Sequence, residues 1–92
     1  MDYYLKTNCK LEVVTPKNGR DYTLEELKTF VDGYIQIIQL TQTQIMVINE
    51  EGKLMGLQPN RLATEAALLV KAIAENDFIV GNCIICDKKH VK

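Results

Sequence analysis

Apolar residues recur along the chain with two different periods, which divide it into strands and helices. In residues 10–14 (KLEVV), Leu11 and Val13 alternate with Glu12 and Val14 as on the two faces of a strand, and Pro16, which has no amide to donate, ends the run. Residues 17–22 contain Asn18-Gly19 and read as a loop. From Thr23 the spacing lengthens: Leu24, Leu27, Phe30 and Val31 share one helical face, Thr23 and Glu26 form a capping box, and Gly33 is the expected left-handed stop. Residues 34–40 and 44–49 return to strand character, and the short 41–43 segment between them predicts an antiparallel hairpin. Residues 50–59 hold Gly52, Gly56 and Pro59 and read as a turn with an extended piece over 53–57. Asn60 is a good N-cap for a helix over 61–75, rich in alanine and leucine, with Leu62, Ala66, Leu69, Val70 and Ile73 on its apolar stripe. A last strand covers 78–86.

The resulting order, β-α-β-β-α-β, predicts an α+β fold: an antiparallel sheet with both helices on one face, as in a ferredoxin-like split βαβ or a half-barrel variant. Both faces of the strands are apolar, with Ile45 and Val47 opposing Met46 and Ile48, and Phe78, Val80 and Ile84 opposing Ile79, Cys83 and Ile85. Helices on one face would leave the other bare. The second face should then be buried by another copy of the chain, by a partner or by curling of the sheet, and a homo-oligomer, a dimer or larger, is the preferred reading.

Length permits one domain over residues 1–92, with flexible ends expected at 1–8 and 87–92. Apolar residues at 47% and charged residues at 25% fit an ordinary globular chain, so disorder is not expected. Eleven basic side chains against twelve acidic ones give a net charge of −1, which argues against a nucleic-acid partner held by a general basic field. The absence of a secretory signal and of a long apolar run predicts a cytoplasmic protein with no membrane partner. An odd set of cysteines, Cys9, Cys83 and Cys86, fits a reducing compartment.

Cys83 and Cys86 spell CxxC, and with His90 they can be drawn as zinc ligands. Three residues apart in a strand, however, the two sulfurs point to opposite faces, so buried structural cysteines are the better reading and no metal is expected. His90 lies in a charged tail and reads as solvated. No nucleophile elbow, phosphate loop or HExxH run is present, and no cofactor is implied. The most suggestive polar set is Asn49 and Glu50 at a strand end with Asn60, Arg61 and Thr64 at a helix start. Helix-start amides beside Arg61 suit a phosphate or carboxylate, Asn49 and Glu50 suit a ribose or base edge, and Tyr34 can stack. The competing reading is structural: a cap at Asn60 and a solvated turn at Glu50.

The segments VDGYIQIIQL, VINEEGKLMGLQPNRLAT and DFIVGNCIIC resemble a family of short proteins of unknown function from phages, plasmids and other bacterial mobile elements. Its pattern runs roughly TLEELQ, VGGYIE, NEEGKLKGLPPN, AT, IVGD, and the likeness covers residues 22–85. Asp32 stands where the family usually has glycine, Gln36 where it has an acid, and Asn82 where aspartate is common. The resemblance implies a mobile-element origin, where small non-enzymatic proteins act against host defence. The sequence reading is therefore a non-catalytic, homo-oligomeric protein that captures a small anionic or nucleotide-like ligand, for example a host-defence signalling nucleotide. An inhibitor or adaptor binding a host defence protein is the alternative, and a nucleotide-processing enzyme the third reading.

Overall fold

The computed structural model describes residues 1–91. Five strands and two helices follow in the order β1 (Asp2–Leu5), β2 (Leu11–Val14), α1 (Leu24–Val31), β3 (Ile35–Gln39), β4 (Gln44–Asn49), α2 (Arg61–Leu69) and β5 (Cys83–Asp87), with a 3₁₀ turn at Lys88–His90. The fold is α+β, as the sequence predicts. Its sheet order is β2-β1-β5-β4-β3, antiparallel at every junction.

This order corrects the ferredoxin-like expectation. In a split βαβ the first and third predicted strands would be neighbours, whereas here β5 separates the N-terminal hairpin from β4. The strand missing from the sequence reading is β1, taken there as part of a flexible end. Its DYYL run has a single aliphatic residue, Leu5, and gives no clear alternation, yet both of its edges are paired. At the other expected flexible end, Asp87 closes β5, Val91 bridges Tyr22, and the Tyr22 amide donates to the His90 carbonyl at 2.7 Å. Lys92 lies outside the described residues.

The helices lie on opposite faces, not on one. Ile45 and Val47 of β4 and Ile84 and Cys86 of β5 pack with Leu27 and Val31 of α1 and with Tyr22. Met46, Cys83 and Leu5 pack with Ala63 and Ala67 of α2 and with Ile79. Adjacent strand residues point to opposite faces, so each helix covers one side of β4 and β5. The doubly apolar strands thus have covers within one chain, and the inference of an oligomer from a bare face loses its basis.

Local chemistry sets where each helix begins and ends. Thr23 and Glu26 form the predicted capping box at α1, with reciprocal bonds of 3.1 and 3.0 Å. The left-handed residue after α1 is Asp32, at φ 60°, and not Gly33. Gly33 follows at φ 157°, a backbone conformation that favours glycine, and a Cβ there would also lie 2.8 Å from Asn49 Nδ2. Helix α2 stops at Leu69, well before the expected residue 75, because Lys71 takes φ 57° and lets the Ala72 and Lys71 amides reach back to the Ala67 and Leu68 carbonyls. Its buried stripe is Ala63 and Ala67, and Leu69, placed on the stripe by the sequence reading, is exposed.

Asn60, wholly buried, ties α2 to the sheet. Its Nδ2 donates to the carbonyls of Leu5 at 3.0 Å and Gly81 at 2.9 Å, and its Oδ1 accepts from the Ala63 amide at 3.0 Å. Truncation removes a helix cap, worth about 1 kcal/mol, and strands buried carbonyls at about 1–3 kcal/mol. Asn60→Ala is expected to lower unfolding stability by about 3 kcal/mol in urea titration, with an unchanged m-value. A loss below about 1 kcal/mol would mean that the clamp is incidental.

Candidate functional site

The residues proposed from sequence as one pocket divide into two groups. Asn49 is buried on the α1 side, where Nδ2 donates to the Val31 and Asp32 carbonyls at 3.0 and 3.2 Å and Oδ1 accepts from the Glu51 amide at 2.8 Å. Tyr34 and Glu50 lie close by, joined by the bond from the Glu50 amide to the Tyr34 carbonyl at 2.9 Å. The Tyr34 ring is exposed, with Lys28 Nζ 5.3 Å from its centroid.

The second group sits at the start of α2 on the other side of the sheet. Asn60 is occupied as described, and the Thr64 hydroxyl donates to the Asn60 carbonyl at 2.7 Å while accepting from the Ile79 amide at 2.9 Å. Arg61 points outward and pairs with Glu65 at 3.1 Å. The Asn60 and Thr64 side chains are therefore committed to the chain's own backbone and the Arg61 guanidinium to Glu65. The expected convergence of Asn49 and Glu50 with Asn60, Arg61 and Thr64 is not formed, because Asn49 and Asn60 serve opposite faces.

A different cleft forms beside Glu50. It has a volume of about 460 Å³ and lies between the β3–β4 edge, the turn after β4 and the loop that follows α2. Ile38, Ile48 and Ile73 supply apolar surface, and Gln36, Glu50 and Lys53 supply polar groups. Phe78 stands at one side, with Lys53 Nζ 4.7 Å from its ring centroid and ion-paired to Asp77. The Lys53 ammonium and the Phe78 amide hold the Asp77 carboxyl below its ordinary range. The Gln36 and Glu50 side chains are not engaged in hydrogen bonds among the described residues, so they can meet a ligand.

This cleft exists because α2 ends early. Residues 72–75, predicted as helix, and 78–82, predicted as strand, are neither, and the segment after α2 carries Phe78 to the Lys53 turn. Sequence reasoning missed Gln36, Lys53, Asp77 and Phe78; for the last two, a lysine in the left-handed position leaves no glycine signal of the early end of α2. A larger groove of about 580 Å³ along α1 includes Thr23 and Glu26, whose side chains already cap that helix.

Two further clusters have structural explanations. Asp2 is buried and accepts from the Tyr22 hydroxyl at 2.8 Å and the Asp87 amide at 3.1 Å, with His90 Nδ1 at 2.7 Å. His90, expected to be solvated, thus fastens the end of the chain to its beginning. Burial, then the Asp2 hydrogen bond, raises the Tyr22 phenol well above its ordinary range. Cys83 and Cys86 lie in the two opposite cores, and burial pushes both thiols up to about 12. No group of three metal-binding side chains forms among the described residues, and none of their helices is long and apolar enough to cross a membrane.

Over residues 4–91 the chain matches the family described as Domain of unknown function (DUF3846), and it belongs to that family. No curated protein and no solved structure matches it.

Thiol reactivity tests the buried cysteines. In native protein, a thiol reagent should modify Cys9 rapidly, with Cys83 and Cys86 reacting only after unfolding. Because the folded thiols hold protons that the unfolded chain releases near its ordinary value of 9.0, their contribution to stability is full below pH 9 and falls as pH rises toward 12. Modification of all three thiols at equal rates in native protein would refute the assignment.

Proposed function

We propose that this member of the family is a non-catalytic binding protein whose ligand, a nucleoside-like molecule, occupies the cleft between Gln36, Glu50, Lys53 and Phe78. The observation that carries this reading is the meeting of an aromatic face, an apolar floor and free hydrogen-bonding side chains in one concavity of about 460 Å³. Ligand clefts are commonly about 300–1,000 Å³ and mostly apolar with a few placed polar groups. Phe78 offers a ring face, and Gln36 with Glu50 offers donors and acceptors for a base edge or ribose hydroxyls.

Charge refines the class of ligand. Glu50 and Asp77 outweigh Lys53 in the lining, which favours an uncharged base and sugar inside and any phosphate toward the opening. Lys53 would meet such a phosphate by exchanging its bond to Asp77. The likeness to mobile-element proteins supports a role in sequestering a host signalling nucleotide in the bacterial cytoplasm.

A second reading rests on the turn after β4, where Leu54 is 89% exposed and Met55 53% exposed beside the same cleft. Apolar side chains presented this way suit an inhibitor or adaptor docking on a host defence protein.

Thermal shift with a panel of nucleosides, mononucleotides and cyclic dinucleotides separates these readings. At a hundredfold excess over Kd, binding adds about 2.7 kcal/mol, a rise in Tm on the order of 10 °C for a domain of this size. Phe78→Ala and Glu50→Ala should abolish the rise, and Arg61→Ala should leave it intact. No shift with any member of the panel would leave the docking reading, for which Leu54→Lys should break the protein complex. Turnover of a nucleotide during incubation would overturn both.

A further inference from the structure

The sheet has two open edges, and they differ in kind. The β2 edge carries Lys10 and Glu12 and is followed by Pro16, features that discourage pairing with another strand. The β3 edge has no such protection. From Tyr34 to Asn49 there is no charged residue and no proline, and Ile37 is 49% exposed.

The register shows what β3 presents. The Glu50 amide donates to the Tyr34 carbonyl and the Leu40 amide to the Gln44 carbonyl, so even-numbered residues of β3 are the ones bonded to β4. Ile35, Ile37 and Gln39 therefore direct their amides and carbonyls to the open edge. This set is self-complementary. Two copies related by a twofold axis at Ile37 would place Ile35 opposite Gln39 of the partner subunit and Ile37 opposite Ile37 of the partner subunit, so that every outward amide and carbonyl finds one of the opposite kind.

From this we infer that the protein forms a homodimer by antiparallel pairing of β3 with β3, joining two sheets into one. Charge decides the occupant: a neutral strand meets its own copy across a twofold axis with no like charges opposed, and isologous pairing closes the assembly. Side chains agree with the backbone. Leu24, 52% exposed, lines a cavity of about 300 Å³ with Ile35 and Ile37, so the same edge carries apolar surface for the second copy to cover. On the other face, Gln36 would stand beside Ile38 of the partner subunit, extending each ligand cleft across the axis.

This inference rests on the edge of β3 and not on the ligand reading, and its test uses protein without ligand. In a Cys9→Ser background, sedimentation at concentrations on the order of 100 μM should give the dimer mass, and Ile37→Lys should halve that mass with an unchanged circular dichroism spectrum. A hydrogen-bonded antiparallel pair holds Cα atoms about 5.5 Å apart, within disulfide reach. Ile37→Cys should therefore yield a linked dimer on mild oxidation, and Val13→Cys at the opposite edge should not. A monomeric wild type, a dimer that survives Ile37→Lys, or assembly only with an unrelated extended peptide would overturn the inference. A monomer that still shows a Phe78-dependent thermal shift sinks the dimer and spares the cleft.

Discussion

The fold depends on a buried amide. Asn60 has no contact with water, so each of its polar atoms must find a partner inside, and the partners it finds belong to β1, to the approach to β5 and to α2. That requirement places the helix start against the sheet and lets small residues, Ala63 and Ala67, carry the close approach. Asn49 does the corresponding job on the other face, where it gathers the last carbonyls of α1 and the first amide of the turn. The two asparagines join one helix end to each side of a single sheet.

The same chemistry explains why these residues look like a binding site in the sequence. Side chains with donors and acceptors at a strand end and a helix start are what a ligand would need, and also what orphan backbone groups need. Burial distinguishes the cases. Asn49, Asn60 and Thr64 are committed internally, while Gln36 and Glu50 have uncommitted side chains next to Phe78. The cleft is thus read from what remains unsatisfied.

Elements with strong periodicity or strong caps were readable from the residues alone: α1 through Thr23 and Glu26, the β3–β4 hairpin, and the start of α2 at Asn60. The paired apolar faces of β4 and β5 were also visible, but periodicity carries no information on which helix covers which face. Strand β1 was hidden because its side chains mix a buried Asp2 with tyrosines, and Asp2 makes sense only once Tyr22 and His90 are beside it. The end of α2 was hidden because Lys71 adopts a conformation that favours glycine. Of the six proposed ligand residues, Asn49 and Glu50 border the cleft. The others depend on tertiary placement that no local pattern encodes.

The central position of β5 bears on how the molecule is made. Strands β1 and β4, which it separates, are synthesised long before it, so a growing chain holds two halves of a sheet with no shared edge until Cys83–Asp87 leaves the ribosome. Pairing residues 2–5 with Cys83–Asp87 requires closing a long loop that holds every other element of the sheet, a slow step in assembly. During that interval the nascent chain exposes hydrophobic edges to its surroundings, and a chaperone that shields them would raise the yield of native protein.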